Sequence, residues 1–164
     1  MELGLQTIKE SSVDYIRRGY ENSVYVDTAT KLRNIGIEVI THIILGLPNE
    51  NKLDMLRSVD FACKYSDGIK LQLLHILKGT DLLKDYEDSK FNALTMEQYI
   101  DILCDAVSII PKNVVIHRLT GDGDKKILVA PLWSGNKKVV LNTINKTFEE
   151  RNIIQGSKTL QDYI

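Results

Sequence analysis

A chain of 164 residues, 43% hydrophobic and 26% charged, has the composition of a globular domain long enough to bury a substantial core. No apolar run reaches the length needed to cross a bilayer, and Met1-Glu2-Leu3-Gly4 lacks the basic start of a signal peptide, so membrane and secretory classes are set aside. The net charge of -1 hides an asymmetry: residues 1–111 carry 12 basic and 17 acidic side chains, residues 112–158 carry 9 basic and 4 acidic ones, and a basic third can face phosphates, although charge runs are more often a solvated face.

In chain order, strand and helix patterns alternate. Glu2 to Gln6 reads as a strand with no element before it. Ser12 is placed to cap a short helix that ends at Arg18, with Gly19 in the C′ position. A second helix is expected over Ser23–Asn34, burying Val26, Ala29 and Leu32 and stopped by Gly36. Ile37 to Leu45 reads as a strand. Its end, His42-Ile43-Ile44-Leu45, breaks off at Gly46-Leu47-Pro48, as a parallel strand buried on both faces would. Ligands collect at the carboxyl ends of such strands. Gly46 would let a ligand approach the backbone, and Pro48 stiffens the exit by holding Leu47 extended.

Asn51 to Tyr65 carries a helical stripe of Met55, Leu56, Val59, Ala62 and Cys63. Asp67-Gly68 turns the chain into a strand over Ile69–Ile76, and the polar stretch Lys78–Asn92 reads as loop with a short helix in it. Thr95 and Gln98 form a capping box for a helix with the stripe Tyr99, Ile100, Leu103, Cys104 and Val107, ended by Pro111. Val114–His117 is the next strand, Leu119–Trp133 is irregular with a short strand near Leu128, and Asn136–Arg151 is the last helix. The tail beyond Gly156 is expected to fray. Cys63 and Cys104 fall far apart within helices and read as reduced core thiols of a cytoplasmic protein.

Strands and helices repeating at this spacing predict an α/β fold of βαβ units with a parallel sheet. About four strands make half of a closed (β/α) barrel. Because the chain begins inside a strand, which leaves an unpaired edge, the expectation is the C-terminal half of a longer protein.

Glu2-Leu3-Gly4-Leu5-Gln6, Arg17-Arg18-Gly19 and Ile44-Leu45-Gly46-Leu47-Pro48, in that order and spacing, resemble radical S-adenosylmethionine proteins, the closest groups being oxygen-independent coproporphyrinogen oxidases and the Elongator catalytic subunit. Leu74-His75, Lys78-Gly79-Thr80, His117-Arg118-Leu119-Thr120-Gly121-Asp122 and Ala130-Pro131-Leu132-Trp133 look like the narrower YhcC/YtqA-type branch. The resemblance implies the C-terminal half of a partial, TIM-like (β/α) barrel over residues 1–118, a family-specific helical extension over 119–156 and a flexible tail over 157–164. It also implies an oxidoreductase or modifying enzyme in which a 4Fe-4S cluster reduces bound S-adenosylmethionine to a 5′-deoxyadenosyl radical. The family's Cys-x-x-x-Cys-x-x-Cys loop is missing, and two widely spaced helical thiols cannot replace it. The cofactor and the cluster are therefore expected in the full-length parent, with neither bound to this fragment, which alone is expected to be inactive.

Carried over by position, Gln6 matches the glutamine that hydrogen-bonds the cofactor ribose, Arg18 the arginine that meets the methionyl carboxylate (Arg17 is an equal alternative), and Ile44, Gly46, Leu47 and Pro48 the adenine-facing segment. The bland readings are a polar residue at a strand end and a cation near a helix terminus. The superfamily often has glycine at the His42 position and an acid at the Asn49 position, and this chain departs at both.

Alternation places Glu2, Gly4 and Gln6 on one face, Glu38, Ile40 and His42 on one face, and Lys70 with Gln72, while His75 falls on the other side unless a bulge intervenes. Glu38, His42, Lys70, Gln72, His75, His117 and Arg118 are the candidates for substrate contact. His42, His75 and His117 lie near strand ends without a fixed ligand spacing, so no metal site is expected, and Thr120–Asp124 lacks a calcium-loop pattern. Trp133 with Tyr99, Lys137 and Lys138 can stack on nucleic acid or anchor the last helix. Expected partners are the missing N-terminal half, a transfer RNA, and a second copy through the first strand; no membrane is expected. The competing functions are a non-catalytic nucleotide- or partner-binding half-barrel and a cluster-free aldolase using Lys70.

Overall fold

The computed structural model describes residues 1–121 and 123–164. Asp122, the last residue of the His117–Asp122 motif, lies outside them. The chain runs β1 (Glu2–Gln6), α1 (Glu10–Tyr15), α2 (Asn22–Asn34), β2 (Ile40–Leu45), α3 (Lys52–Tyr65), β3 (Gly68–Leu73), β4 (Ile76–Leu77), α4 (Asp81–Glu87), α5 (Met96–Ile109), β5 (Val115–Arg118), β6 (Leu128–Ala130), a 3-10 turn (Leu132–Gly135), α6 (Lys137–Glu150) and a second 3-10 turn (Leu160–Tyr163). β1, β2, β3 and β5 form a parallel sheet in that order, and β4 pairs antiparallel with β6. This is the α/β fold with a four-stranded parallel sheet that the sequence predicts.

The sheet is covered by helices on one face. Leu5 of β1, Ile43 and Leu45 of β2, and Ile69, Leu71 and Leu73 of β3 join one apolar core with α2, α3, α5 and α6. The residues between them in β1 and β2, and Lys70 and Gln72 of β3, stay half-buried or exposed. The run ending at Leu45 is therefore not buried on both faces, and its alternation is hidden only because Ile40 and Ile44 are apolar on the open face. Asn51 with Asp54, and Thr95 with Gln98, close capping boxes that start α3 and α5 where the sequence puts them. Tyr25, Phe61 and Tyr65 pack α2 on α3, with ring centroids 5.1–6.5 Å apart. The Tyr25 hydroxyl meets Thr41 Oγ1 at 2.6 Å inside the core. Among the described residues no helix is long and apolar enough to cross a membrane.

Several boundaries differ from expectation for local reasons. β2 starts at Ile40 rather than Ile37. Before it, the Glu38 carbonyl accepts from the Met1 ammonium (2.6 Å) and Val39 N–H donates to the Asp67 carboxylate (2.9 Å). The strand expected over Ile69–Ile76 divides: Leu74 N–H makes a last bond to Leu45 O, and Ile76 then pairs with Ala130 in the second sheet. Ser12 lies inside α1 and is buried, so it does not cap, and Arg17 takes the left-handed conformation (φ +53°) just past the helix end. The segment expected to fray carries the Leu160–Tyr163 turn, from which Tyr163 donates to Asp105 Oδ1 at 2.8 Å and Leu160 packs on the core.

Candidate functional site

β1 ends on a backbone that only a surrounding network can hold. Gln6 adopts φ +58°, in the region that L residues with a Cβ disfavour. Thr7 N–H turns back to Leu5 O at 2.7 Å. Arg18 uses all five of its N–H donors on this segment and its neighbours: Nη1 to Leu5 O (2.8 Å) and Thr7 O (2.9 Å), Nε to Tyr20 O (2.9 Å), and Nη2 to Tyr20 O (2.8 Å) and Asn22 Oδ1 (3.0 Å). A carboxylate reaching Arg18 would have to displace these acceptors.

On the other side, Thr7 Oγ1 donates to Glu50 Oε1 at 2.6 Å and accepts from Lys9 N–H at 3.1 Å, while Ile8 N–H donates to Ser58 Oγ at 3.1 Å. Burial raises the Glu50 carboxyl above its ordinary range, against the pull of the Thr7 and Ser12 hydroxyls. Ser12 acts at a geometry too poor for a formed bond. The Gln6 amide folds back over Gly4, where a Cβ would collide with its Nε2. Gln6 Oε1 is buried and finds no hydrogen-bond donor among the described residues. An orphaned buried carbonyl is costly to leave unmet, and a hydroxyl is the kind of donor it lacks.

Past the ends of β2 and β3 lies a cleft of about 440 Å³, lined by Ile44, Leu47 and Leu74, by Ile16 and Arg17, and by Asp81, Leu82 and Asp85 of α4. Its rim is charged: Arg17 meets Asp81 at 3.1 Å, and Tyr15 and Lys90 both reach Asp85 at 2.7 Å. Lys84 and then Arg17 hold the Asp81 carboxyl low, while burial and then Asp85 push the Tyr15 hydroxyl up to about 12. The sequence reading missed this wall of the cleft, because Lys78–Asn92 is polar and its Thr80 cap is the only local helix signal. Gly46 has φ +92°, but the close approach it permits is taken by Leu94, whose Cδ1 would lie 2.8 Å from a Cβ there. Gly46 N–H points to Met55 Sδ (3.1 Å), and Pro48 is buried.

The open face of the sheet carries a polar chain across three strands. Glu2 pairs with Lys70 through Oε1 and with His42 Nε2 through Oε2 at 2.9 Å, and Gln72 Nε2 donates to His42 Nδ1 at 3.2 Å. Nδ1 is then the acceptor, so the ring proton sits on Nε2 and faces the carboxylate. Lys70 first, then His42, hold the Glu2 carboxyl below its ordinary value. Lys70 therefore sits in an ion pair, not in the apolar pocket a Schiff-base amine needs.

Glu38, expected beside His42, instead precedes β2 and is exposed. His117 stands over Gly68, where a Cβ would come within 2.6 Å of its Nε2, and Arg118 pairs in register with Lys70. His75 lies beyond β3 against Gly121 and Gly123. Among the described residues no group of three His, Cys, Asp or Glu side chains can hold a metal ion. Cys63 and Cys104 are free thiols, and burial pushes Cys63 up to about 12. Trp133 donates to Leu94 O (3.0 Å) and packs 5.7 Å from the Tyr99 ring. Tyr99 is fully buried and cannot stack on a ligand, while Trp133 is half-buried with one side packed against the core.

Fold and site together define an α/β half-barrel with helices on one face and polar side chains on the other. The chain belongs to the family described as the Radical_SAM C-terminal domain, which matches residues 66–150. It is 44% identical over 158 residues to YtqA of Bacillus subtilis, covering 95% of this chain and 49% of that protein. YhcC of Escherichia coli K12 is 32% identical over 158 residues, with coverage of 96% and 51%. The tRNA uridine(34) acetyltransferase of Methanocaldococcus jannaschii is 25% identical over 162 residues, with coverage of 94% and 29%. The chain spans about half the length of the most similar of these relatives. Among solved structures, Elp3 of Methanocaldococcus infernus with residues 1–46 deleted matches with a TM-score of 0.75 at 21% identity, covering 94% of this chain and 36% of that one, a likeness of fold.

Proposed function

We propose that this chain is the C-terminal half of a radical S-adenosylmethionine enzyme that modifies RNA, and that it supplies part of the cofactor cradle and one wall of the substrate chamber. The observation that carries the reading is Gln6: a side-chain carbonyl, buried without a donor, on a backbone clamped from both sides. A ribose hydroxyl supplies the missing donor. Ile44 and Leu47 give the adenine an apolar wall in the cleft beside them, and Gly46 and Pro48, buried behind that wall, set the turn that presents it. We assign the carboxylate contact to Arg17, which lines that cleft, because Arg18 is committed to Leu5, Thr7, Tyr20 and Asn22. When bound with its cluster, the cofactor supplies a carbon-centred radical that removes a hydrogen atom from substrate.

The cluster's cysteines we place in the preceding half, against the open edge of β1, in preference to a second copy there. His42, Lys70, Gln72 and Glu2 face the chamber as a polar chain able to bind and orient substrate and to hold a proton on His42 Nε2. RNA as substrate is supported by the basic third of the chain and by the transfer RNA named for the methanogen relative. The half-barrel is taken as 1–118 and the extension as 119–156. To test the reading, the chain is extended by the preceding half of its reading frame and reconstituted anaerobically with iron and sulfide. A brown cluster and reductive release of 5′-deoxyadenosine are expected. A colourless protein that leaves S-adenosylmethionine intact overturns the reading.

A further inference from the structure

α4 forms one wall of the cleft beyond β2 and β3, and the segment that carries it is lightly held. It hangs between two anchors: Lys78 N–H donates to Ile127 O at 2.8 Å, and Leu94 O accepts from Trp133 Nε1 at 3.0 Å. No residue from Gly79 to Ala93 is buried. Leu82, Leu83, Tyr86 and Phe91 are half-buried outside the main core, and the Tyr86 and Phe91 rings pack on each other at 5.8 Å. Left-handed backbone at Gly79 (φ +80°) and Ser89 (φ +57°) brackets the helix. Few buried apolar contacts between two such bends are what a lid requires.

Among the described residues, two polar links tie this segment to the body of the protein beyond β4, and both lead to α1 and its C-terminal end. Tyr15 donates to Asp85 Oδ2 at 2.7 Å, and Arg17 Nη2 meets Asp81 Oδ2 at 3.1 Å. Asp81, Leu82 and Asp85 line the cleft together with Arg17. Lys84 meets the other Asp81 oxygen at 3.3 Å, so that carboxylate lies between two cations. Arg17 and Asp81 are both mostly exposed, and such a pair changes partners at little cost. The chain thus sets a carboxylate of its own on the side chain assigned above to the ligand's carboxylate. A second carboxylate entering the cleft must displace Asp81 from Arg17 or bear its repulsion.

We propose that α4 is a lid latched by an internal mimic of the ligand: Asp81 holds Arg17 until the carboxylate of S-adenosylmethionine takes Arg17 over, which frees α4 from α1. The latch regulates the cofactor site and rests on the cofactor reading for the identity of the ligand. Its effect is a tax on affinity, set by the fraction of molecules in which Asp81 occupies Arg17. By linkage, whatever weakens the latch strengthens binding of a carboxylate ligand and leaves a ligand without that group unaffected.

The chain extended by its preceding half and reconstituted as above is titrated in equilibrium dialysis with two ligands. One is S-adenosylmethionine, the other 5′-methylthioadenosine, which lacks the carboxylate. Asp81→Asn is expected to tighten S-adenosylmethionine by about two- to fivefold, as the loss of an exposed competing pair allows. The same variant should leave 5′-methylthioadenosine within about 1.5-fold of the parent. Glu87→Gln, an equal change of charge on an exposed α4 residue outside the cleft lining, should move both ligands by less than about 1.5-fold. Hydrogen exchange on the ligand-free protein reads the lid directly: Asp81→Asn should speed exchange of the α4 amides by about two- to fivefold and leave those of α3 unchanged.

A gain in affinity equal for the two ligands overturns the proposal, as does an equal gain from Asp81→Asn and Glu87→Gln. Exchange of α4 that Asp81→Asn leaves unchanged also overturns it. Each of these failures occurs in a protein that still binds S-adenosylmethionine, so the cofactor reading survives them. Binding of neither ligand by the parent overturns that reading, and the latch falls with it.

Discussion

Arg18 grips Gln6 by the carbonyls on either side of it, one Nη1 reaching Leu5 O at 2.8 Å and Thr7 O at 2.9 Å. A left-handed residue bearing a Cβ costs about 1–2 kcal/mol. Nη1 meets that cost by satisfying the two acceptors that the turn exposes, while Nε and Nη2 fix the guanidinium on Tyr20 O and Asn22 Oδ1. Lysine, a single ammonium, cannot make both sets of bonds. Arg18→Lys is expected to lower stability by about 1.5–3 kcal/mol in urea denaturation. In a Gln6→Gly background, where φ +58° carries little strain, the same change should cost less. Equal costs in both backgrounds would show that Arg18 does not act through the Gln6 backbone. Arg17→Ala, at an exposed pair, should stay within about 0.5 kcal/mol.

Gly46 gives a second expectation. Its φ of +92° and the Leu94 methyl 2.8 Å from a built Cβ both oppose any side chain. Gly46→Ala should destabilise by about 2–4 kcal/mol. Adding Leu94→Ala should recover only the steric part, leaving the backbone part, as read from the denaturation midpoints of the two variants.

Glu50 sets a pH dependence. Burial raises its carboxyl, so the protonated form is the one the fold favours. Its contribution to stability is complete below the ordinary carboxyl range and is lost as pH rises through the raised value. Glu50→Gln keeps an acceptor for Thr7 and carries no charge. It should melt higher than the parent at neutral pH, with the advantage vanishing toward about pH 4, where both side chains are neutral. An advantage that grows on acidification would contradict the burial of this group.

The element order, the parallel sheet and the Thr95–Gln98 capping box were legible because each has a local signal, whereas the Asn51–Asp54 box that opens α3 emerged only with the structure. What was not legible is what distant segments do to one another. Ser12 has the chemistry of a cap, yet it packs beneath Glu50. Gly46 looks like an opening for ligand, yet Leu94, far along the chain, fills it. Glu38 has the parity of His42, but it precedes β2, where its carbonyl accepts from the Met1 ammonium and its side chain is exposed. The orphaned Gln6 carbonyl and the α4 wall of the cleft depend on tertiary placement, which no periodicity encodes.

The C-terminal turn is expected to contribute to stability. Tyr163 donates to Asp105, whose carboxylate also pairs with Lys52, and burial first and then Asp105 push the phenol up. Removing residues 157–164 should lower the unfolding free energy by about 1–3 kcal/mol in urea denaturation. Tyr163→Phe should lower it by about 1 kcal/mol. No change on truncation would mean that the turn is bound too weakly to count.

The Glu2–Lys70 pair has a colloidal consequence. β1 is an edge strand, paired with β2 on one side only, and such an edge is a template on which an extended peptide can pair. A carboxylate at the first position of that strand, anchored by a lysine two strands away, keeps a fixed charge at the template, and a second identical strand docking in register would set one carboxylate against another. Neutralising Glu2 removes that repulsion, so Glu2→Gln is expected to cloud at a lower protein concentration than the parent.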